Sequence, residues 1–376
     1  MSNNVVQLAT VFSFHENFNK DNISILQEMG FDVHLIANES TSNYSETRKK
    51  VFYEYCKLKN ITLHHLEIPR SPFRLISLGK SYYQLLSLLR KLDVKLVHSH
   101  TPVGGVLGRL VSRKLSITNL YTAHGFHFYK GAPILYWAIY YPIERLLGRF
   151  SDAIITINIE DYKRSLKKLN KNTYYVPGVG IHVEQFQFDH RNSLMDEMTL
   201  VSIGELTKNK NHRFVLRSLS HLNEQFQYNI AGTGLEINRI RSLVSKLHLN
   251  GRVRLLGYVD DVKSIFSSAD VFVMPSLREG LPVSLIEAMA AGLPILGSNV
   301  RGIRELVDHG KGGFLYPSNN QDAFLDFLRQ MSSNPSLRKQ MGYYNKSKAK
   351  NYDIAIVREA MKDIYLQYLP DKQNMR

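Results

Sequence analysis

The chain has 376 residues, of which 44% are apolar and 22% charged, and its net charge is +15. This composition excludes a disordered or fibrous protein, and a single cysteine, Cys56, excludes an intramolecular disulfide and is typical of a reducing compartment. The longest apolar run, Ala132–Ile143, is shorter than the roughly twenty residues that span a bilayer. Because MSNNVVQLAT also lacks the features of a signal peptide, we expect a cytoplasmic protein.

Short apolar segments alternate with segments of helical period along residues 1–180. The predicted strands are Val5–Phe12, Val33–Ala37, Leu96–His98, Leu120–Thr122 and Ala153–Ile157. The predicted helices between them are Asn22–Met29, Leu75–Leu92, Val106–Lys114 and Ile134–Arg149. This order demands a parallel sheet with helices on both faces.

The same alternation is repeated after VPGVGIHVEQF (Val176–Phe186) and the polar DHRNSLMDEM (Asp189–Met198), which we interpret as a linker. The strands predicted beyond it are Leu200–Ile203, Tyr228–Ala231, Val253–Leu256, Val271–Met274 and Pro294–Gly297. The helices are Arg213–Leu222, Leu235–Leu247, Val262–Ser267, Val283–Ala291 and Gln321–Ser332. We therefore predict an α/β protein of two doubly wound domains, 1–180 and 195–353, that face a cleft, where ligands bind beyond the carboxyl ends of the strands.

Positive charge is concentrated in the first of these domains. Residues 1–180 hold 23 Lys and Arg against 13 Asp and Glu, whereas residues 181–376 hold 25 against 20. Such an excess fits an anionic partner, such as nucleic acid, phospholipid headgroups or a phosphorylated substrate, and it equally fits a surface charged for solubility.

The most informative stretch is EGLPVSLIEAMAAGLPILGSN (Glu279–Asn299), which follows the predicted strand Val271–Met274. Pro282 suits the first turn of a helix. Backbone N–H groups near Gly280 and Leu281, at the positive end of that helix, are typical of an anion site. Because Gly280 has no side chain, a phosphate can approach the backbone closely.

Two glutamates, Glu279 and Glu287, flank the start of this helix. A carboxylate repels a diphosphate, but it is a good acceptor for vicinal hydroxyls. The pattern therefore predicts a ligand with sugar hydroxyls on both sides of a diphosphate, which is a nucleotide-sugar.

E-x7-E, preceded by a strand that ends in Pro-Ser and followed by EAMAAGLPI, resembles the retaining glycosyltransferases of family 4. These enzymes have the GT-B fold of two Rossmann-like domains. The resemblance implies that Glu279 contacts the donor sugar and Glu287 the ribose, with Leu281 and Pro282 in the phosphate-facing turn. The next segment is similar to the family's G-G-x-x-E motif, but Arg301 replaces the first glycine, and we expect altered packing near the donor.

VSIGELTKNKNHRFVLRSL (Val201–Leu219) resembles the family's strand, glycine turn and diphosphate-neutralising lysine. It implies donor contacts at Gly204 and Lys210, with Lys210 also catalytic. Glu205 stands where the family has an arginine, and Lys208 or Arg213 could supply the missing positive charge.

Two further segments are similar to parts of the family's donor site. AGTGLE (Ala231–Glu236) matches a G-x-G motif and implies a role for Gly232, while RVRLLGYVDDV implies a base-bordering backbone. The residues of that backbone are Gly257, Tyr258 and Val259. We interpret Asp260 and Asp261 as a helix cap rather than a metal pair, and the resemblance implies neither metal nor cofactor.

Two histidine-bearing segments, HSHTPVGGVLGRL and YTAHGFHFYKGAP, follow predicted strands of the first domain. They resemble the branch of the family that builds bacterial capsular, exo- and O-polysaccharides on lipid carriers. The family has a histidine near the point of sugar transfer, which implies that His124 is catalytic. His100 and His127 are candidates for acceptor binding, with a structural role as the alternative. Gly104 and Gly105 allow either close acceptor approach or a tight turn.

Two segments, PRSPFRLISLGKSYYQLLSLLRKL and ILYWAIYYPIERLLGRF, combine aromatic, aliphatic and basic residues at helical spacing. Such helices can lie on an anionic membrane surface, although buried helices with basic ends have the same pattern. Because a lipid-linked acceptor is implied, we expect a protein peripheral on the inner face of the cell membrane. The terminal helix, in residues 354–376, is expected to cross back onto the first domain.

The resemblance implies metal-free transfer of a sugar, with retention, from a UDP-hexose or UDP-N-acetylhexosamine to a lipid-linked saccharide in surface polysaccharide synthesis. A UDP-sugar epimerase of GT-B fold, which binds the same donor, is the alternative, although E-x7-E with EAMAAGLP favours transfer. The G-x-G-x-x-G loop of a dehydrogenase is absent from the sequence. The usual nucleic-acid recognition motifs are also absent, which argues against a basic nucleic-acid-binding protein.

Overall fold

The structure is a computed structural model, and it describes residues 3–40, 46–187, 198–222 and 226–369. The chain divides into two compact units, one formed by Met1–Val179 with Ala355–Arg376 and the other by Gly180–Ile354. Each unit is built on its own parallel sheet with helices packed against it.

The first unit contains a seven-stranded parallel sheet in the order β3-β2-β1-β4-β5-β6-β7. Its strands are β1 Asn4–Val11, β2 Asp32–Asn38, β3 Thr62–His65, β4 Val94–His100, β5 Thr118–Ala123, β6 Ala153–Thr156 and β7 Thr173–Tyr175. Its helices are α1 Phe12–Phe18, α2 Lys20–Glu28, α3 Glu46–Leu58, α4 Leu75–Leu92, α5 Pro102–Leu115, α6 Ile134–Gly148 and α7 Ile159–Lys168. The central strands are apolar on both faces because helices cover both sides of a parallel sheet.

The second unit contains a six-stranded parallel sheet in the order β10-β9-β8-β11-β12-β13. Its strands are β8 Met198–Ile203, β9 Phe226–Ala231, β10 Val253–Gly257, β11 Val271–Met274, β12 Ile295–Ser298 and β13 Gly313–Tyr316. Its helices are α8 His212–Leu219, α9 Ile237–Lys246, α10 Val262–Ser267, α11 Val283–Ala290, α12 Arg301–Leu306, α13 Gln321–Ser333 and α14 Pro335–Ala349.

The last helix, α15 (Ile354–Tyr368), packs on the first unit. Val357, Met361 and Ile364 are buried in the same core cluster as Val5 and Leu96 of the central strands. The chain therefore returns to the first sheet after it completes the second one. Residues 370–376 lie outside the described residues.

All the predicted strands and helices are present, and most end within a few residues of the predicted bounds. The three strands that were not predicted, β3, β7 and β13, are edges of their sheets. An edge strand has one neighbour and needs no continuous apolar run, and β3 reads TLHH. Part of the predicted linker, residues 188–197, lies outside the described residues. Among those that are described, no helix is long and apolar enough to cross a membrane.

Candidate functional site

Three glycine turns pack against one another at the carboxyl ends of β8, β9 and β10. The Gly204 N–H donates to the Ala231 carbonyl at 3.0 Å, and the Gly232 N–H donates to the Gly257 carbonyl at 2.6 Å. Gly232 has a φ of +142°, and a Cβ atom built on it would overlap the Gly204 carbonyl oxygen. These turns can approach so closely only because they carry no side chains there. Three residues of the predicted donor site, Gly204, Gly232 and Gly257, are thus brought together.

Lys210 and Glu279 form an ion pair beside these turns, with 2.7 Å between the lysine Nζ and the glutamate Oε1. Asn209 fixes their two loops together, because its side-chain amide donates to the Arg278 carbonyl at 2.9 Å and its own carbonyl accepts from the Leu277 N–H at 2.8 Å. Two of the three predicted catalytic side chains therefore meet, and nothing in the sequence pattern indicated the role of Asn209.

Helix α11 begins at Val283, directly after the loop that contains Glu279 and Gly280. Pro282 has extended backbone angles and is the N-cap, so its predicted place within the first turn is wrong by one position. The first N–H groups of a helix have no partner inside it, and they give this end a partial positive charge. Leu281 and Pro282 are buried, which fixes the turn before the helix.

Helix α12 supports the same loop from its other side. Arg301 is only 5% exposed, and its Nε lies 3.4 Å from the Glu279 carbonyl, to which it donates. A Cβ atom on Gly302 would overlap the Gly280 carbonyl oxygen. The departure from the family motif at Arg301 therefore places a guanidinium group against the backbone of the glutamate loop. The only signal of this contact in the sequence was the departure itself.

Glu287 lies within α11 and is half-buried, and its partial removal from water raises the pKa of its carboxyl group to about 7. Among the described residues, no hydrogen bond or ion pair reaches the carboxylate. The two glutamates of the motif thus differ, since one is paired with a lysine and the other is a half-buried acceptor without a partner among the described residues.

The remaining polar residues near these strand ends have local partners. Asp261 caps α10 by accepting from the Lys263 N–H at 3.1 Å, as its sequence context predicted. Tyr258 follows Gly257, whose φ is +70°, and is 54% exposed. Arg213 lies 4.0 Å from Glu236, so it already has an acidic partner. In the described part of the chain, no three His, Cys, Asp or Glu side chains are placed to hold one metal ion.

A cluster of histidines lies at the carboxyl ends of β4 and β5 in the first unit. His100 Nδ1 is 3.3 Å from His124 Nε2, and the Phe14 ring packs on both imidazoles. Burial lowers the pKa of His124 to about 4 and that of His100 well below its usual range. Both imidazoles are therefore neutral at pH 7.

The other predicted acceptor residues have packing contacts. Gly104 and Gly105 lie inside α5 and are buried, so the tight-turn alternative for them is wrong. A Cβ atom on Gly105 would overlap the Tyr121 ring, which indicates that this glycine lets α5 approach the sheet. The His127 ring stacks on Tyr140 of α6, with 4.4 Å between the ring centroids.

The chain consists of two Rossmann-like units, and one of them has an ion pair beside glycine turns at its strand ends. This arrangement is that of the GT-B class of proteins, and solved structures of this class superpose on the chain. Sucrose-phosphate synthase from Thermosynechococcus elongatus superposes with a TM-score of 0.78 at 18% identity and covers 97% of this chain and 98% of its own. Alr3699/HepE from Anabaena, in complex with UDP, superposes with a TM-score of 0.76 at 14% identity over 98% and 100% of the two chains.

Residues 5–158 match the family described as glycosyl transferase 4-like, and residues 183–348 match glycosyl transferases group 1. A putative glycosyltransferase of Bacillus subtilis, EpsD, is 33% identical over 98% of both chains. An α-1,3-galactosyltransferase of Escherichia coli, named as acting on UDP-Gal and α-D-GlcNAc-diphosphoundecaprenol, is 25% identical over 98% of this chain and 97% of its own. The capsular polysaccharide glycosyltransferase CapM of Staphylococcus aureus is 24% identical over 93% and 94%. The chain belongs to the family of glycosyl transferases group 1, with a glycosyl transferase 4-like first domain, and is a glycosyltransferase.

Proposed function

We propose that this glycosyltransferase is a retaining enzyme of family 4. It transfers a hexose or N-acetylhexosamine from a UDP-sugar to a lipid-linked saccharide in the synthesis of a bacterial surface polysaccharide. The observation that carries the proposal is the Lys210–Glu279 ion pair, 2.7 Å long, beside glycine turns and a helix start.

This arrangement supports a defined exchange of partners when the donor binds. A diphosphate is a stronger partner for Lys210 than one carboxylate, and it would take over the lysine Nζ. Glu279 would then be released to accept hydrogen bonds from hydroxyls of the donor sugar. Glu287, whose carboxylate has no partner among the described residues, would accept from the ribose. Charge on the leaving diphosphate would be stabilised by Lys210 and the first amides of α11, without a metal ion.

Arg301 is a better candidate than Arg213 for the positive charge missing at Glu205. It is buried and held on the Glu279 carbonyl at 3.4 Å, whereas Arg213 is 44% exposed and lies beside Glu236. A permanent positive charge at the edge of a phosphate site strengthens anion binding even without direct contact.

The choice of UDP and of a lipid-linked acceptor rests on the relatives. The Anabaena structures contain UDP and UDP-glucose, and the E. coli relative is named for a diphosphoundecaprenol acceptor. His124, on the strand-end loop of the first unit, is the residue that we propose to contact the reacting sugars. His100 lies 3.3 Å from it and His127 follows it on the same loop, and both stay candidates for the acceptor side.

Exposed apolar side chains support a membrane-facing surface on the first unit. Ile76 at the start of α4 is 82% exposed and Ile134 at the start of α6 is 86% exposed. Phe73, Leu75 and Leu135 beside them are also exposed, and basic residues follow along α4. An apolar tip with flanking positive charge is typical of proteins that bind reversibly to anionic membranes.

Ligand choice tests the proposal against its rivals. We expect UDP and UDP-sugars to raise the melting temperature in a thermal shift experiment, and we expect NAD and oligonucleotides to leave it unchanged. Stabilisation by NAD or by an oligonucleotide instead of UDP would overturn the donor assignment.

A further inference from the structure

A series of hydrogen bonds links Gln7, in the middle of the first sheet, to His124. The amide group of Gln7 determines which atom donates and which accepts in each of these bonds. The Gln7 Nε2 donates to the Tyr365 hydroxyl at 3.1 Å, and its Oε1 accepts from Asn19 Nδ2 at 3.0 Å. The same Oε1 lies 2.9 Å from His100 Nε2. Because an amide oxygen only accepts, the proton of His100 must be on Nε2.

The position of that proton determines the next one. A neutral imidazole carries one N–H group, so His100 Nδ1 is an acceptor. It lies 3.3 Å from His124 Nε2, and this contact is a hydrogen bond only if His124 Nε2 carries its proton. His124 Nδ1 is then bare, and within the described residues it has no hydrogen-bond partner. Both histidines line a pocket of the first unit.

A second branch of hydrogen bonds runs from Gln7 through Tyr365 and His98 to Thr122, and each donor in it points away from Gln7. The Tyr365 hydroxyl accepts from Gln7 and can donate to His98 Nδ1 at 2.7 Å. His98 Nε2 can then donate to the Thr122 hydroxyl at 2.7 Å. With all three histidines neutral, every ring nitrogen in both branches except His124 Nδ1 thus has a hydrogen-bond partner, and burial lowers the pKa of His98 to about 3.

We propose that Gln7 and His100 are positioning residues that hold His124 as its Nε2–H tautomer, so that Nδ1 accepts a hydrogen bond from a hydroxyl of a bound sugar. A bare ring nitrogen favours a hydroxyl, which can donate, and disfavours a phosphate or carboxylate oxygen, which cannot. The hydrogen bond to a sugar hydroxyl rests on the proposed function, whereas the tautomer of His124 can be measured without any substrate.

Gln7→Glu is the variant that tests this inference, because it keeps the shape of the side chain. A carboxylate beside Nε2 stabilises a protonated His100, whose Nδ1–H then donates to His124 Nε2. The proton of His124 moves to Nδ1, and the atom offered to the sugar changes from an acceptor to a donor. The other titratable groups close to His100 are His15, His98 and His124. The charged residues lining the same pocket, Asp21 and Arg358, are paired at 3.0 Å.

Long-range proton–nitrogen NMR correlations on histidine-labelled protein report each tautomer, with the His124 signals assigned by their loss in His124→Asn. We expect the Nε2–H tautomer at His124 in the native protein and the Nδ1–H tautomer in Gln7→Glu. The control is Gln340→Glu, the same change at an exposed position of α14, which should leave the signals unchanged. An Nδ1–H tautomer or an imidazolium in the native protein, or no change in Gln7→Glu, would overturn the assignment.

Turnover provides the functional half of the test. We expect Gln7→Glu to lower kcat about tenfold or more, as for the loss of a hydrogen bond to the reacting sugar. Its KM for the nucleotide-sugar should stay at the native value. The control variant Gln340→Glu should keep the native kcat and KM. Native turnover in a Gln7→Glu protein with the switched tautomer would overturn the positioning role. If the native protein transfers no sugar at all, the proposed function fails while the tautomer assignment stands.

Discussion

Glu279 and Glu287 belong to one motif but lie in different surroundings. Glu279 is paired with Lys210, whereas Glu287 is half-buried on α11, where desolvation raises its pKa to about 7. A paired carboxylate can be released by a competing anion, and an unpaired, half-buried one gains most from a ligand that donates hydrogen bonds. The two side chains should therefore act at different steps.

We expect Glu279→Gln to lower kcat, because contacts to the sugar hydroxyls are weakened where the reaction occurs. Glu287→Ala should instead raise the Kd for UDP by roughly tenfold, the effect of losing one or two hydrogen bonds to a carboxylate. Steady-state kinetics and calorimetric titration with UDP separate the two effects. Native kinetics in both variants would show that the donor site lies elsewhere.

The raised pKa of Glu287 predicts that UDP binding depends on pH. The ribose hydroxyls favour the ionised carboxylate, which is the minor form below pH 7 in the free protein. Affinity should therefore fall as the pH is lowered from about 8 to about 6, by up to roughly tenfold per pH unit below the pKa. Glu287→Gln is the control, since it retains the titration of the UDP phosphate, which occurs near pH 6. The same pH dependence in both proteins would exclude Glu287 as its origin.

At the scale of elements, the site depends on close contacts between backbones. Gly232 lets the β9 turn meet the β8 turn, and Gly302 lets α12 meet the loop before α11. In both places a Cβ atom would overlap a backbone carbonyl oxygen rather than a flexible side chain. The loop geometry is therefore set by residues that cannot contact a ligand through side chains.

Gly302→Ala should displace the Glu279–Gly280 loop and weaken UDP-sugar binding by roughly tenfold or more, since the overlap with the Gly280 carbonyl cannot be relieved by a rotamer change. Gly251→Ala is the matched control because a Cβ atom there meets open space. Calorimetry with UDP and a melting curve for each variant are the measurements. Equal UDP affinity in the two variants would contradict the proposed support by α12.

The sequence was sufficient to predict β11 and α11, which flank the candidate donor site, whereas α12, which supports the same loop, was not predicted. A strand, a loop with glycine and proline, and a helix lie next to one another in the chain, so local pattern places Glu279 and Glu287 directly. The histidine network could not be predicted in this way, because His98 and Tyr365 are 267 positions apart. Nothing in the spacing of Gln7, His98 and Tyr365 indicates that a parallel sheet and a returning helix bring them together.

At the scale of the whole molecule, positive charge and exposed apolar side chains occur on the same unit. Residues 1–180 carry 23 Lys and Arg against 13 Asp and Glu, and the first residues of α4 and α6 expose isoleucine and leucine. Each Lys or Arg near an anionic surface contributes on the order of 1 kcal/mol if it faces that surface. Reversible membrane binding would bring the first unit to a lipid-linked acceptor.

We expect the protein to sediment with liposomes that contain anionic lipid, to be released by salt, and to bind neutral liposomes little. Replacing Arg74, Lys80, Arg90 and Lys91 by Gln should weaken sedimentation without changing UDP affinity. The control replaces four exposed basic residues of the second unit, Arg241, Lys246, Arg254 and Lys263. Salt-independent binding to both kinds of liposome, or an equal loss in the two variants, would mean that the basic excess has another purpose.

The central claim is sugar transfer from a nucleotide diphosphate stabilised by Lys210. A radiolabelled transfer assay with a panel of UDP-sugars and a bacterial membrane lipid extract tests it most directly, with EDTA present. We predict label in the lipid fraction, a rate unchanged by EDTA, and a loss of roughly one to three orders of magnitude in Lys210→Ala but not in Lys246→Ala. An epimerised UDP-sugar with no labelled lipid, or an absolute requirement for a divalent cation, would contradict it.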